Sequence, residues 1–294
     1  MMFLTRPHKL LALSGLVVAL PGGGEDDARR LLLKSLEHGA TINVRAVMSR
    51  THGPGRPVHE FKLEQTRSGK TRTTILAPLD DQGVETIDDG QRSVTLFPDK
   101  HLAFVQESSR GEERPARQRM RLVEKNYRLA VVGSGVIAGR NTTCVAATPK
   151  HKGLNERRYT VDAATGFLLR LETVGSDRNP VVLLDTKIVG YPEELPEPST
   201  NFDPTSYKSV RYRKRQAYSP GAGKAQIGFE PVMPSQLPLG FEVQEVQLTN
   251  SERWRAACIR FSDGLNRGTL YQFIQDGEKG EGARRQRVSR PSTV

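Results

Sequence analysis

Residues 131–139 read Val-Val-Gly-Ser-Gly-Val-Ile-Ala-Gly, which places a GxGxxA pattern after a β-branched run. That is the spacing of a dinucleotide-binding turn, in which the glycines let the backbone approach a pyrophosphate. The chemistry also needs a helix next, whose N-terminus holds the phosphates, and an acidic strand end about 20 residues further on. Residues 140–149 are instead β-branched and end on Pro149, and no such acidic residue follows. The expectation here is a hairpin whose glycines allow a tight turn, with no cofactor. The acidic pairs Asp80-Asp81 and Asp88-Asp89 could be cast as acid–base catalysts. They bracket a short predicted strand and read as turn residues. The six histidines contain no HExxH and no close pair, the glycine run at 22–24 lacks the Lys-Ser/Thr of a phosphate loop, and no GxSxG elbow occurs. No catalytic or metal-ligating residues are assigned, and an enzyme is not expected.

The elements that would position a site are mostly strands. Phe167, Leu169 and Leu171 alternate with Leu168, Arg170 and Glu172, and Val182, Leu184 and Ile188 alternate with Asp185 and Lys187. Period-two alternation means a sheet with one buried and one wetter face. The same alternation appears at Val44, Ala46 and Met48, at Phe61 and Leu63, and around residues 73–77, 94–96 and 102–105. Turn signals separate these runs at residues 52–57, 67–70, 88–90 and 98–100. Helices are expected over residues 25–37, with Glu25, Asp26 and Asp27 complementing the dipole, and over residues 115–126, starting on Pro115. The fold class is therefore α+β and mainly β, a large curved antiparallel half-barrel sheet with covering helices and a smaller C-terminal domain.

The chain divides into a signal segment (1–24), a half-barrel domain (25–191), a proline-rich then basic linker (192–226), a shortened C-terminal domain (227–277) and a polar basic tail (278–294). Residues 6–9 are basic, residues 10–20 largely apolar, and Pro21 with three glycines follows. That run is too short for a membrane span and suits a secretory signal, so export is expected. Net charge is +11, from 44 basic and 33 acidic residues, which favours anionic partners. Arg211, Arg213, Lys214 and Arg215 would make a nucleic-acid patch in a cytoplasmic chain; in an exported one, lipid headgroups or an acidic peptide fit better. Cys144 and Cys258 either form a disulfide between the domains or remain buried free thiols, the plainer reading.

Several stretches together resemble the MucB/RseB family. They are Tyr127-Arg-Leu-Ala-Val-Val-Gly, Ile137-Ala-Gly-Arg, Cys144-Val-Ala-Ala, Arg158-Tyr-Thr-Val-Asp162 followed by Thr165-Gly-Phe-Leu-Leu-Arg170, Leu237-Pro-Leu-Gly-Phe241, and Arg260-Phe-Ser-Asp-Gly-Leu265. The resemblance spans roughly residues 28–275. It implies a LolA/LolB-like N-terminal domain in a periplasmic, non-enzymatic regulator of an extracytoplasmic sigma factor. Such a protein binds the periplasmic segment of a membrane anti-sigma factor, protects it from proteolysis, and is released by lipid or lipopolysaccharide. On that reading Phe61, Leu63, Ile75, Leu96 and Phe104 are candidate walls of a lipid cavity. Arg211, Arg213, Lys214, Arg215, Phe241, Asp263 and Leu265 are candidate partner-binding residues. The alternative is a periplasmic lipid or lipoprotein carrier without an anti-sigma partner; a homodimer is compatible with either. The family continues with further strands where this chain turns polar after Ile274, so the small unit is expected either to dock on the first domain or to be incompletely formed.

Overall fold

The structure is a computed structural model that describes residues 24–37, 41–108, 115–213, 216–250, 255–273 and 287–288. The signal segment to residue 23, the tail apart from residues 287–288, Lys214 and Arg215 lie outside the described residues. Among those described, twelve strands form one sheet and five a second.

The first sheet is two meanders joined at their middle. One comprises β1 (Val44–Thr51), β2 (Val58–Gln65), β3 (Thr71–Ala77), β4 (Glu85–Asp88), β5 (Arg92–Phe97) and β6 (Leu102–Glu107). The other comprises β7 (Tyr127–Ile137), β8 (Arg140–Pro149), β9 (Glu156–Asp162), β10 (Leu168–Val174) and β11 (Pro180–Gly190). Pairing of β1 with β11 joins them, so the sheet is open, with β7 at one edge. Extra residues in β3, β7, β10 and β11 bend it, because a bulged strand kinks and twists more than its partner.

The expected helices are present. α1 (Glu25–Glu37) begins with three acidic residues and buries Ala28 and Leu32, one turn apart. α2 (Ala116–Asn126) has Pro115 at its N-cap and buries Met120, Leu122 and Val123. Both lie over the second meander, where Ala28, Leu32, Met120 and Val123 pack with Tyr127, Leu129, Val145, Ala147 and Leu171. A second apolar cluster joins Val44, Ala46, Met48 and Phe61 to Ile137, Phe167 and Leu169.

The GxGxxA stretch occupies β7 and its exit. β8 follows directly, through a two-residue turn in which Ala138 and Gly139 have φ of 49° and 74°. Two successive positive φ values match the right-handed twist of a hairpin, and the pyrophosphate-binding helix has no place there. The turn glycine is Gly139; Gly133 and Gly135 lie within the strand.

The segment after β11 is tied down. Asn43 Nδ2 donates to Glu193 O at 2.7 Å, Ser68 Oγ to Glu197 at 2.9 Å, and Arg92 Nη2 to Thr200 O at 2.9 Å, while Thr200 Oγ1 donates to Asp89 Oδ2 at 2.7 Å. These anchors lie where β1 begins and in the turns β2–β3 and β4–β5, so residues 193–200 strap one end of the sheet. Asp88 and Asp89 are turn carboxylates, accepting from the backbone of Gly90 and of Gln91 and Arg92. The strap then delivers β12 (Ser209–Arg213) to the edge of β6, in parallel. The crossover explains the departure from an all-antiparallel sheet, since only adjacent antiparallel strands can be joined by a hairpin.

The second sheet runs β13 (Gln216–Ala217), β14 (Glu242–Asn250), β15 (Arg255–Ser262), β16 (Arg267–Phe273) and β17 (Arg287–Val288). α3 (Ala222–Ile227) places Ile227 against Leu248 and Ala257. Cys144 and Cys258 are both buried free thiols. Leu169 is fully buried at the centre of the first sheet; its replacement by alanine is expected to cost about 2–5 kcal/mol in a urea titration.

Candidate binding surfaces and the seam between the sheets

The two sheets meet at a polar seam built around one carboxylate. Asp263 lies in the turn between β15 and β16 and is fully buried. Its Oδ1 accepts from the backbone of Leu265 and Asn266 at 2.9 and 2.7 Å, which closes the turn. Its Oδ2 accepts from Tyr127 Oη at 2.6 Å and from Asn266 Nδ2 at 2.9 Å. Tyr127 is the first residue of β7, so this bond joins the two units directly. Asn266 Nδ2 also donates to Tyr127 Oη at 2.7 Å, and the buried Arg157 of β9 donates to Asn266 Oδ1 at 2.8 Å.

Helix α2 supplies the rest, from both of its ends. Asn126 Nδ2 reaches Gly240 O and Asp263 O at 2.8 and 2.9 Å, and Arg119 Nε donates to Gly264 O at 2.9 Å. Gly264 has φ of 103°, and a β-carbon there would stand 2.8 Å from Val123 N. Only glycine allows that conformation and that approach. Leu265 then enters the apolar cluster beneath α1 and α2.

The wall residues divide. Phe61, Leu63 and Ile75 join the apolar cluster of Val44, Ala46 and Met48, with Phe61 buried. Phe104 shares their face, because Leu63, Thr73, Thr86, Thr95 and Phe104 face one another strand by strand. It meets Phe97 edge to face, with ring centroids 5.7 Å apart. Leu96 pairs with Ala103, one residue out of step with Phe104, and belongs to the opposite face. Two clefts, of about 400 and 270 Å³, lie along α2, and none of the five wall residues lines either.

The partner-binding residues also divide. Arg211 of β12 is opposite Phe104, with its guanidinium 5.5 Å from the ring centroid, so this cation and this aromatic form one surface on the sheet edge. Arg213 lies two residues further along β12. Phe241 is half-buried against Phe261, with centroids 5.6 Å apart. Asp263 and Leu265 are inside the seam and present no surface while the sheets are in contact. Sequence reading did not single out Asn126, Tyr127, Arg157 or Asn266: each looks unremarkable in its own strand, helix or turn, and only contacts across more than a hundred positions give it a role. Among the described residues, no group of three or more His, Cys, Asp or Glu could hold a metal ion.

Residues 49–185 match the family profile described as the MucB/RseB N-terminal domain. No curated protein matches the sequence. Among solved structures, MucB crystallised with MucA(peri) superposes with a TM-score of 0.54 at 17% identity, over 88% of this chain and 84% of that one. The Pseudomonas aeruginosa MucA/MucB complex gives 0.53 at 16%, over 84% and 80%. MucB alone gives 0.53 at 16%, over 85% and 80%. At such identities the likeness is one of fold, and it runs through both sheets.

Burial pushes the Tyr127 phenol well above its usual value of 10.0, and the adjacent Asp263 carboxylate adds to the effect. The folded state therefore keeps a proton that the unfolded chain gives up near pH 10. This stabilisation is complete below that pH and is lost as pH rises through and beyond it, by up to about 1.4 kcal/mol per pH unit. Tyr127→Phe is expected to cost about 1–3 kcal/mol at neutral pH, by leaving Asp263 and Asn266 short of a partner. It should also flatten the alkaline slope; denaturation midpoints from pH 8 to 11 would check both.

Proposed function

We propose, from a chain whose residues 49–185 match the MucB/RseB N-terminal domain profile, that this protein is a non-enzymatic regulator acting in the periplasm. It binds the periplasmic segment of a membrane anti-sigma factor and shields it from proteolysis. An amphiphile bound to the large sheet modulates that binding. The observation that carries the reading is the fold likeness to MucB, a protein crystallised with MucA(peri), over 88% of this chain. Residues 25–191 and 227–277 are the working domains, and the strap of residues 192–208 holds the basic edge beside Phe104.

Two physical arguments support the reading. Arg211 and Phe104 give β12 a charge and an aromatic face on an edge strand with unpaired backbone, which an extended acidic segment can use. Burial of a twelve-carbon acyl chain contributes roughly 10 kcal/mol gross, at about 0.8 kcal/mol per methylene. Micromolar affinity, near −8 kcal/mol, survives the ordering costs. The amphiphile shifts partner binding only by its differential affinity for the two domain arrangements.

Calorimetric titration with the anti-sigma periplasmic segment is expected to give micromolar or tighter binding. Arg211→Glu should weaken it about tenfold or more. Absence of heat at tens of micromolar would reject the regulator reading. Native mass spectrometry with added lipid tests the amphiphile, and a protein that stays empty would remove that part alone.

A further inference from the structure

Helix α2 presents a row of cations to solvent. Arg117, Arg121 and Lys125 recur every fourth residue and are exposed. At the end of the row three other pieces of chain converge. Lys150 Nζ donates to Glu124 O at 2.6 Å, His151 Nε2 lies 3.1 Å from Asn126 Oδ1, and Gly240 O accepts from Asn126 Nδ2 at 2.8 Å. Lys152, beside His151, is exposed. Leu239, between Pro238 and Gly240, is 70% exposed and stands beside this convergence. A shallow cleft lined by Gln118, Arg121, Leu122, Lys125 and Glu242 makes the helix row continuous with the start of β14.

Nearby carboxylates offset only part of this charge. Glu37 pairs with Arg117, Glu124 with Arg29, and Glu242 with Lys125. Arg121, Lys150 and Lys152 are in no ion pair among the described residues.

We propose that this face docks the protein on an anionic bilayer, with Leu239 entering the headgroup boundary and Arg121, Lys125, Lys150 and Lys152 lying against lipid phosphates. An apolar tip ringed by cations is what an interfacial contact requires: burial of the tip fixes depth, and each nearby cation adds attraction that decays within a Debye length. Clustered cations also hold acidic peptides, but the protruding Leu239 beside this row favours a bilayer, whose headgroup boundary accepts an apolar tip. The site lies on different elements from Phe104 and Arg211 and does not depend on the function proposed above.

The test is co-sedimentation of the full chain, without any protein partner, with mixed phosphatidylglycerol–phosphatidylcholine vesicles and with phosphatidylcholine alone. Every variant carries the same N-terminal segment, so differences between variants belong to this face. Binding is expected to the anionic vesicles and to fall with added salt. Arg121→Gln with Lys152→Gln should weaken it about 30-fold, each cation near the surface contributing roughly a factor of five. Leu239→Ser should weaken it about five- to tenfold. Lys100→Gln, on the β5–β6 turn, should leave it unchanged. Equal binding to both vesicle types overturns the proposal, as does a loss in Lys100→Gln matching that of the paired variant. It is also overturned if Arg121→Gln/Lys152→Gln leaves vesicle binding intact while abolishing retention of an acidic peptide.

Discussion

A carboxylate with no exposed surface has to be satisfied where it sits, and Asp263 constrains both sheets by this requirement. An ionised group in a dry interior is costly unless each lone pair has a donor. Two donors come from its own turn, one from the side chain of Asn266, and one from Tyr127 on the other sheet. Separating the sheets would expose the turn, remove the tyrosine hydroxyl and strand Arg157 without Asn266. The small unit has only a thin core of its own, in which Ile227, Leu248 and Ala257 are the buried members of the cluster under α3. Much of its order is therefore borrowed from the large sheet through the seam, while Leu265 lends an apolar side chain in return.

The same device occurs within the large sheet. Asp162 Oδ1 accepts from the backbone of Ala164 and Thr165, as Asp263 Oδ1 does from Leu265 and Asn266. Its Oδ2 accepts from Arg140 Nε at 2.7 Å and Tyr191 Oη at 3.1 Å. In both turns one oxygen closes the local loop and the other holds a distant segment. The difference lies in what is held. Asp162 fixes hairpin tips and the exit of β11, all within one sheet, whereas Asp263 fixes one unit to another. The two units are held together at the second of these, since a buried hydrogen-bonded network favours one arrangement over a continuum.

Charge is arranged on two separate faces. The Arg211–Phe104 edge and the α2–Leu239 face belong to different parts of the large sheet, and the strap and the seam respectively hold them in place. A strand edge offers backbone and a directional row of side chains, while a helix row with a protruding leucine offers a plane of charge and a tip. These are different kinds of surface, and they lie on different elements of the molecule.

Much of the architecture was legible from local pattern. Alternation at Val44–Met48 and Phe167–Leu171, the acidic start of α1, Pro115 ahead of α2, and the β-branched run after Gly139 determine element types through period and backbone sterics, which neighbours in the chain set. The sequence also placed Asp162 and Asp263 in stretches that resemble the family, with Asp263 as a candidate partner-binding residue. What it did not determine is which partner each oxygen finds, because Tyr127 and Asp263 are far apart along the chain and meet only when both units have folded. Likewise Leu96 and Phe104 look equivalent as apolar strand residues, and only the register of β5 against β6 puts them on opposite faces. The parallel seat of β12, the burial of Leu265 and the exposure of Leu239 are tertiary decisions of the same kind, set by where the strap and the seam place segments that are locally indifferent.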